Sequence, residues 1–389
     1  KSLSLISKTF SLSARTFNGL ESVLARELEQ IGAQNVQAKK HSVSFSADTE
    51  LMYKANLWLR TATKILKPIS RFKFSNDQGL YHKIQEINWS SYLSVRDTYV
   101  IDCTLIESTI QHPRIAVSKV KEGINSYFKK AKNTIPTIEL SNPDFRIHVH
   151  IYKESCTISL DTSGQPLNHR GYKQDQQQRY LNEAFAAGLI LISGWKKDSY
   201  FIDPMCNIGT IPIEASLIAN NIAPNISRDH FAFMEWKDFD KSVWNKVVED
   251  AHAAIRPFSK RIYGYDEQPS LIKAGKSIIL NSKLFSKIQL DVARFDEVNP
   301  IQDKGMVIIC PPPSDKIQRM SPRDYYEKLG NMLKSKYIGY TAVIYSQDLD
   351  ALNFIGLKSI FKRSLYYGQF EGRIQKFEVL ASSKKEYDY

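Results

Sequence analysis

Residues 203–210 (Asp203-Pro204-Met205-Cys206-Asn207-Ile208-Gly209-Thr210) form a tight polar stretch between two apolar ones. Before it stand Tyr200, Phe201 and Ile202; after it come Ile211, Ile213, Ala215, Leu217 and Ile218. The pattern reads as strand, loop and helix, the opening unit of a nucleotide-type fold. The loop's main-chain amides and the helix N-terminus suit a polar or anionic ligand. Asp266 closes the apolar run 262–265, where an acidic residue can grip paired ribose hydroxyls. The alternative is that it caps the helix that opens at Pro269. Asp291 ends a third short apolar run, where a carboxylate could meet an adenine amino group or simply face solvent. Cys310-Pro311-Pro312-Pro313-Ser314 follows the apolar run 306–309. Prolines there remove main-chain donors and stiffen the loop.

These loops need a sheet to hold them. From residue 181 onward strand and helix patterns alternate. Helices are expected at 181–193, 211–220, 269–280 and 322–335, and strands at 199–202, 262–265, 288–290, 306–309 and 341–345. Such alternation predicts a parallel, doubly wound sheet, whose ligands bind at the carboxyl ends of the strands. The runs 365–367 and 373–380 read as an antiparallel closing hairpin. The first third differs in style. It is mixed α+β, with helices expected at 20–28, 49–60 and 115–129, strands at 35–45, 70–74 and 99–105, and a hairpin over 145–160. The join, 161–179, is rich in Gly, Pro, Asn and Gln, including Gln174-Asp175-Gln176-Gln177-Gln178.

The bulk numbers agree with a folded protein of two or three domains: 389 residues, 42% hydrophobic and 24% charged. No apolar run approaches the length of a membrane span. Four cysteines (Cys103, Cys156, Cys206, Cys310) lack CxxC spacing, so reduced thiols and a cytoplasmic location are expected. His112, His148, His150 and His169 show no metal spacing, and no metal is expected. The net charge of +12 suits a polyanionic partner. Arg114, Lys119, Lys121, Lys129 and Lys130 lie on or beside the 115–129 helix and are the candidate contacts to such a polyanion, with a solvated helix face as the plain alternative.

A resemblance adds to this reading. The strings LNHRGYK, EAFAAGLILISGW, DPMCxxGTIPIEASLIANNIAP, FAFMEW, YGYD and DVARFDEV, with a xPPxxxKI loop, are similar to the THUMP-domain class I RNA methyltransferases. FSLSARTFNGLESVLARELEQIGA and ANLWLRTATKIL resemble that family's N-terminal region. The resemblance implies an N-terminal ferredoxin-like part (1–64), a THUMP domain (65–163), a linker (164–180) and a class I methyltransferase domain (181–389). It implies S-adenosylmethionine as donor and a ribosomal RNA guanine as acceptor. By position, Asp203, Pro204, Cys206, Asn207, Gly209 and Thr210 would line the methionine side. Asp266 would hold the ribose, and Asp291 with Val292 would face the adenine. His169-Arg170-Gly171-Tyr172 would lie at the junction of the two halves.

The departures from the family fall in the pocket. Asn207 and Ile208 stand where the family has Gly and Ser. Cys310 stands where it has Asn, Pro313 where it has an aromatic ring, and Ser314 where it has Gly. Arg179-Tyr180 replace Ala-Pro. An amide acceptor becomes a weak sulfur one, and a base-stacking ring is lost. Scaffold positions such as Glu183, Asp203 and Glu214 match. The expectation is an RNA-binding family member with weak or lost methyl transfer, a pseudoenzyme. The alternatives are an active guanine-N2 methyltransferase and an assembly factor that uses the fold as a protein-binding surface.

Overall fold

The computed structural model describes residues 9–173, 180–282, 285, 287–317 and 320–381. Gln174–Gln178 and Arg179, singled out above, lie outside the described residues.

The N-terminal half is built on one eight-stranded sheet. Its strands are β1 (Phe10–Arg15), β2 (Gln34–Lys39), β3 (Ser42–Ala47), β4 (Lys64–Lys73), β5 (Thr98–Ile106), β6 (Thr137–Ile138), β7 (Phe145–Tyr152) and β8 (Ser155–Asp161), in the spatial order β2-β3-β1-β4-β8-β7-β5-β6. β4 pairs with β1 at Lys64–Leu66 and with β8 along the rest of its length, so the ferredoxin-like and THUMP parts share a sheet. Four helices cover it: α1 (Glu21–Gln30), α2 (Thr49–Trp58), α3 (Asp77–Gln85) and α4 (Pro113–Lys132). The spacing Leu20, Val23, Leu24, Leu28 is buried throughout, as a helix facing a core requires. β1 and α3 carry no strong signal in sequence. β1 reads only as a polar alternation, although Leu12 and Ala14 are fully buried on its inner face. α3 is short and begins at Asn76, whose side chain accepts the Gly79 N–H.

The C-terminal half is the expected doubly wound layer. Its strands are β9 (Tyr200–Asp203), β10 (Ile262–Asp266), β11 (Ile288–Val292), β12 (Gly305–Ile309), β13 (Thr341–Ser346), β14 (Phe361–Tyr367) and β15 (Phe370–Glu378), in the order β11-β10-β9-β12-β13-β15-β14. The first five are parallel, and β15 runs antiparallel between β13 and β14. Its helices are α5 (Glu183–Ser193), α6 (Thr210–Ala219), α7 (Lys241–Ala253), α8 (Pro269–Leu280) and α9 (Pro322–Lys336). The order turns at β9, flanked by β10 and β12, which opens a crevice at the carboxyl ends.

The two halves interlock. Leu20 and Val23 of the first half pack in the core of the second, and a Cβ on Gly188 of α5 would collide with Leu20. In return, Phe231, Phe233, Trp236 and α7 pack into the N-terminal core, with Phe233 stacked on Tyr53 at 4.5 Å. Beneath them runs a chain of buried charges. Glu27 accepts the Arg60 N–H, the Arg170 guanidinium donates to the Arg60 carbonyl, and Arg170 pairs with Glu214 of α6 at 3.5 Å with neither side chain exposed. Lys173 pairs with Glu183 at 3.2 Å. Burial pushes the Glu27 and Glu214 carboxyls up, and lowers Arg60 to about 10. Of the HRGY string, Arg170 is therefore the buried centre of the junction, with His169 and Tyr172 half-buried and Gly171 exposed.

Candidate functional site

Four loops meet at the carboxyl edge of the second sheet. The β9 loop turns tightly because two residues take the left-handed conformation: Asn207 at φ 55° and Gly209 at φ 87°. Asn is the ordinary residue best able to replace Gly there. Its own Oδ1 accepts the Ile208 N–H at 2.8 Å, a local bond that favours the turn. The Gly209 N–H donates to the Cys206 carbonyl and the Cys206 N–H to the Tyr265 carbonyl, each at 2.8 Å. Ile208 is buried, and its main chain rests on Gly275 of α8, where a Cβ would come within 2.5 Å of the Ile208 oxygen. Pro204, Cys206, Gly209 and Thr210 are buried, whereas Asn207 is exposed.

Asp266 is half-buried, and both its oxygens accept main-chain N–H groups: Oδ2 from Asn207 at 2.9 Å and Oδ1 from Gln268 at 3.0 Å. It is not the N-cap of α8; Gln268 occupies that position. Each carboxylate oxygen has a second lone pair, so ribose hydroxyls can still be accepted. Asp203 is 2% exposed and accepts the Met205 N–H at 3.0 Å. Burial, with Asp266 nearby, pushes its carboxyl up to about 8. Near neutrality Asp203 is therefore mostly protonated.

Val292 ends β11 opposite Asp266 and is exposed. The Asp291 carboxylate is held elsewhere. Lys276 of α8 donates to it at 3.2 Å and Gln289 at 2.8 Å.

Two aromatic residues that sequence reading passed over stand at the same edge. The Tyr325 hydroxyl lies 3.5 Å from the Met205 sulfur, and its ring centre lies 5.3 Å from that of Phe295. Phe295 follows β11 and Tyr325 sits in the first turn of α9. A helix that follows a parallel strand starts at the carboxyl edge, and that placement was the available signal.

The loop after β12 offers little chemistry. Burial pushes the Cys310 thiol up, and the charge of Asp203, once ionised, pushes it further. Cys206 is shifted the same way by burial. Neither supplies a thiolate near neutrality, which a covalent mechanism would need. Pro311 and Pro312 are half-buried and Pro313 is exposed. On the approach to α5, the Tyr180 ring lies 5.9 Å from the Lys173 ammonium.

The basic helix α4 belongs to the other sheet and does not join these loops. Arg114, Lys121, Lys129 and Lys130 are exposed. Lys119, another of the candidate RNA contacts, is half-buried and pairs with Glu122 at 2.9 Å. Lys129, Lys130 and Lys132 occupy the last turn, where they also complement the helix dipole. Among the described residues, no group of His, Cys, Asp and Glu could hold a metal ion, and no helix is long and apolar enough to cross a membrane.

An eight-stranded α+β half joined to a seven-stranded sheet with an antiparallel penultimate strand defines the class: a THUMP-type protein carrying a class I methyltransferase fold. Comparison with known proteins gives the family. Residues 11–66 match the RlmL ferredoxin-like domain, 74–161 the THUMP domain, and 170–376 the RMKL-like methyltransferase domain. The chain belongs to this family of S-adenosylmethionine-dependent RNA methyltransferases. It is 31% identical over 368 residues to a protein assigned as an RNA methyltransferase in Synechocystis sp. (strain ATCC 27184 / PCC 6803 / Kazusa), covering 94% of this chain and 96% of that one. It is 31% identical over 381 residues to the ribosomal RNA large subunit methyltransferase K/L of Photobacterium profundum, covering 96% of this chain. It spans only about half of that longer relative, 53%. A crystal structure of SMU.472, assigned as a methyltransferase and complexed with S-adenosylhomocysteine, superposes with a TM-score of 0.88 at 25% identity, covering 97% of this chain and 100% of that one.

Proposed function

We propose that this chain is an RNA-binding member of the family that keeps its S-adenosylmethionine site but transfers methyl groups weakly or not at all. The acceptor is a guanine amine of ribosomal RNA. The observation that carries the reading is the contrast between two neighbouring loops. In the 203–210 loop the altered residue Asn207 still adopts the tight left-handed turn and is latched to Asp266. In the 310–314 loop a neutral thiol and three successive prolines stand where an acceptor and a ring are needed.

The chemistry separates the two loops. Asp266 would hold the ribose, the 205–209 amides and Thr210 would border the methionine part, and Val292 with Phe295 and Tyr325 would flank the adenine. S-adenosylmethionine supplies an electrophilic methyl group. A guanine amine is a poor nucleophile, and acceptors must orient it. Losing one such preorganised group typically costs about 10²–10³ in rate. The carbonyls of Pro311 and Pro312 remain as acceptors, so residual transfer is the second reading. It is favoured by the preserved cofactor turn and by relatives named as methyltransferases.

The test is calorimetric titration of S-adenosylmethionine into the purified chain, paired with a tritium-transfer assay on large-subunit ribosomal RNA. The reading expects micromolar binding with little transfer. No binding at millimolar ligand would overturn the cofactor half. Transfer at the rate of an ordinary enzyme, about 1 s⁻¹ or faster, would overturn the impairment.

A further inference from the structure

The hairpin β14–β15 projects past the edge of its own sheet. The last residue of β13 to pair with β15 is Ser346, opposite Arg373. Beyond that row β15 pairs only with β14: Gly372 with Leu365, Glu371 with Tyr366, and Phe370 with Tyr367. Three residues of strand span about 10 Å. The tip therefore overhangs the carboxyl edge.

The overhang stands beside the 310–314 loop. β12 and β13 pair Ile309 with Ile344, which brings Cys310 level with Tyr345. From Tyr345 a run of rings leads to the tip. Phe185 lies 4.9 Å from Tyr345, and Tyr367 lies 5.0 Å from Phe185. Cys310 packs against this same cluster. Tyr367 is fixed on three sides: by Phe185, by Phe17 stacked at 5.7 Å with an interplanar angle of 5°, and by the Asn182 N–H donating to its hydroxyl at 3.2 Å. Its cross-strand partner Phe370 is 60% exposed. A held ring opposite an exposed one, overhanging a loop that has lost its own ring, offers π-faces to a planar ligand. Phe17 belongs to the N-terminal half, so that half helps to build the platform.

We propose that Tyr367 and Phe370 form a stacking surface for an unstacked base of the bound RNA, in place of the ring missing at Pro313. The proposal rests on the RNA-binding reading above. Stacking on an aromatic side chain is tolerant of base identity and independent of phosphate contacts. It therefore adds affinity without adding to the salt dependence, which counts phosphates.

The test uses the whole chain and in-vitro-transcribed large-subunit ribosomal RNA, with filter binding across a salt series. Phe370→Ala removes an exposed ring, and an unchanged thermal midpoint confirms folding. The expected result is a loss of affinity of about fivefold or more, with the slope of log affinity against log salt unchanged and affinity restored by Phe370→Trp. In contrast, Lys121→Ala/Lys129→Ala/Lys130→Ala should flatten the slope. If Phe370→Ala binds within about twofold of the parent while the lysine variant weakens, RNA binding stands and the platform is overturned. If the parent chain does not bind the RNA, both readings fall.

Discussion

The main-chain N–H of Asn207 donates to Oδ2 of Asp266 at 2.9 Å, tying the loop after β9 to the carboxylate that ends β10. One carboxylate thus shapes the turn and, on the proposed reading, also holds the ribose. Asp266→Ala should weaken S-adenosylmethionine binding by about 10- to 100-fold, since bonds to a charged group are worth roughly 1.5–3 kcal/mol each. Calorimetric titration checks this. Unchanged affinity would place the ribose elsewhere.

Asp203 gives the site a pH dependence. Its carboxyl titrates near 8 when folded and near 3.8 in the unfolded chain, so the folded state holds the extra proton between those values. Stability from this group falls as pH rises through that window. Asp203→Asn removes the titration and keeps an oxygen for the Met205 N–H. The variant's thermal midpoint should therefore gain on that of the parent from about pH 4 to about pH 8 and level off above that. Parallel curves would show that Asp203 is ionised throughout.

Arg170 and Glu214 join the halves through a pair that solvent does not reach. Removing one partner strands the other. Glu214→Leu or Arg170→Met should each cost about 3–5 kcal/mol, and Arg170→Met/Glu214→Leu should cost less than the sum of the two. Urea denaturation of the three variants measures the coupling. Strict additivity would mean the two charges are not coupled.

Much of this was legible in the sequence because period and punctuation agree there. The alternation of apolar runs after residue 181 marks every strand of the second sheet, and the burial of Val307, Ile308 and Ile309 explains why such runs carry no polar alternation. α7 was not legible. Its spacing is diluted by charges, and its buried face, Val247 and Ala251, packs on the other half of the chain, which local periodicity cannot announce. The shared eight-stranded sheet escaped for the same reason: β4 and β8 pair residues distant in sequence. In the site, Asn207 was readable as a residue tolerant of positive φ. Tyr325 and Phe295 were readable only as positions at the carboxyl edge, since their contact with each other and that of Tyr325 with Met205 join segments distant in sequence. The ion pair of Asp291 with Lys276 joins a strand to a neighbouring helix and leaves no local trace.

On the proposed reading the cofactor loop works and the acceptor loop does not. Tritium transfer from saturating S-adenosylmethionine to large-subunit ribosomal RNA, compared between the chain and its Cys310→Asn/Pro313→Tyr variant, tests this division. Restoring the acceptor and the ring should raise the rate by about 10²-fold or more. A parent chain that already transfers methyl groups as fast as the variant would mean that the 310–314 loop does not impair catalysis.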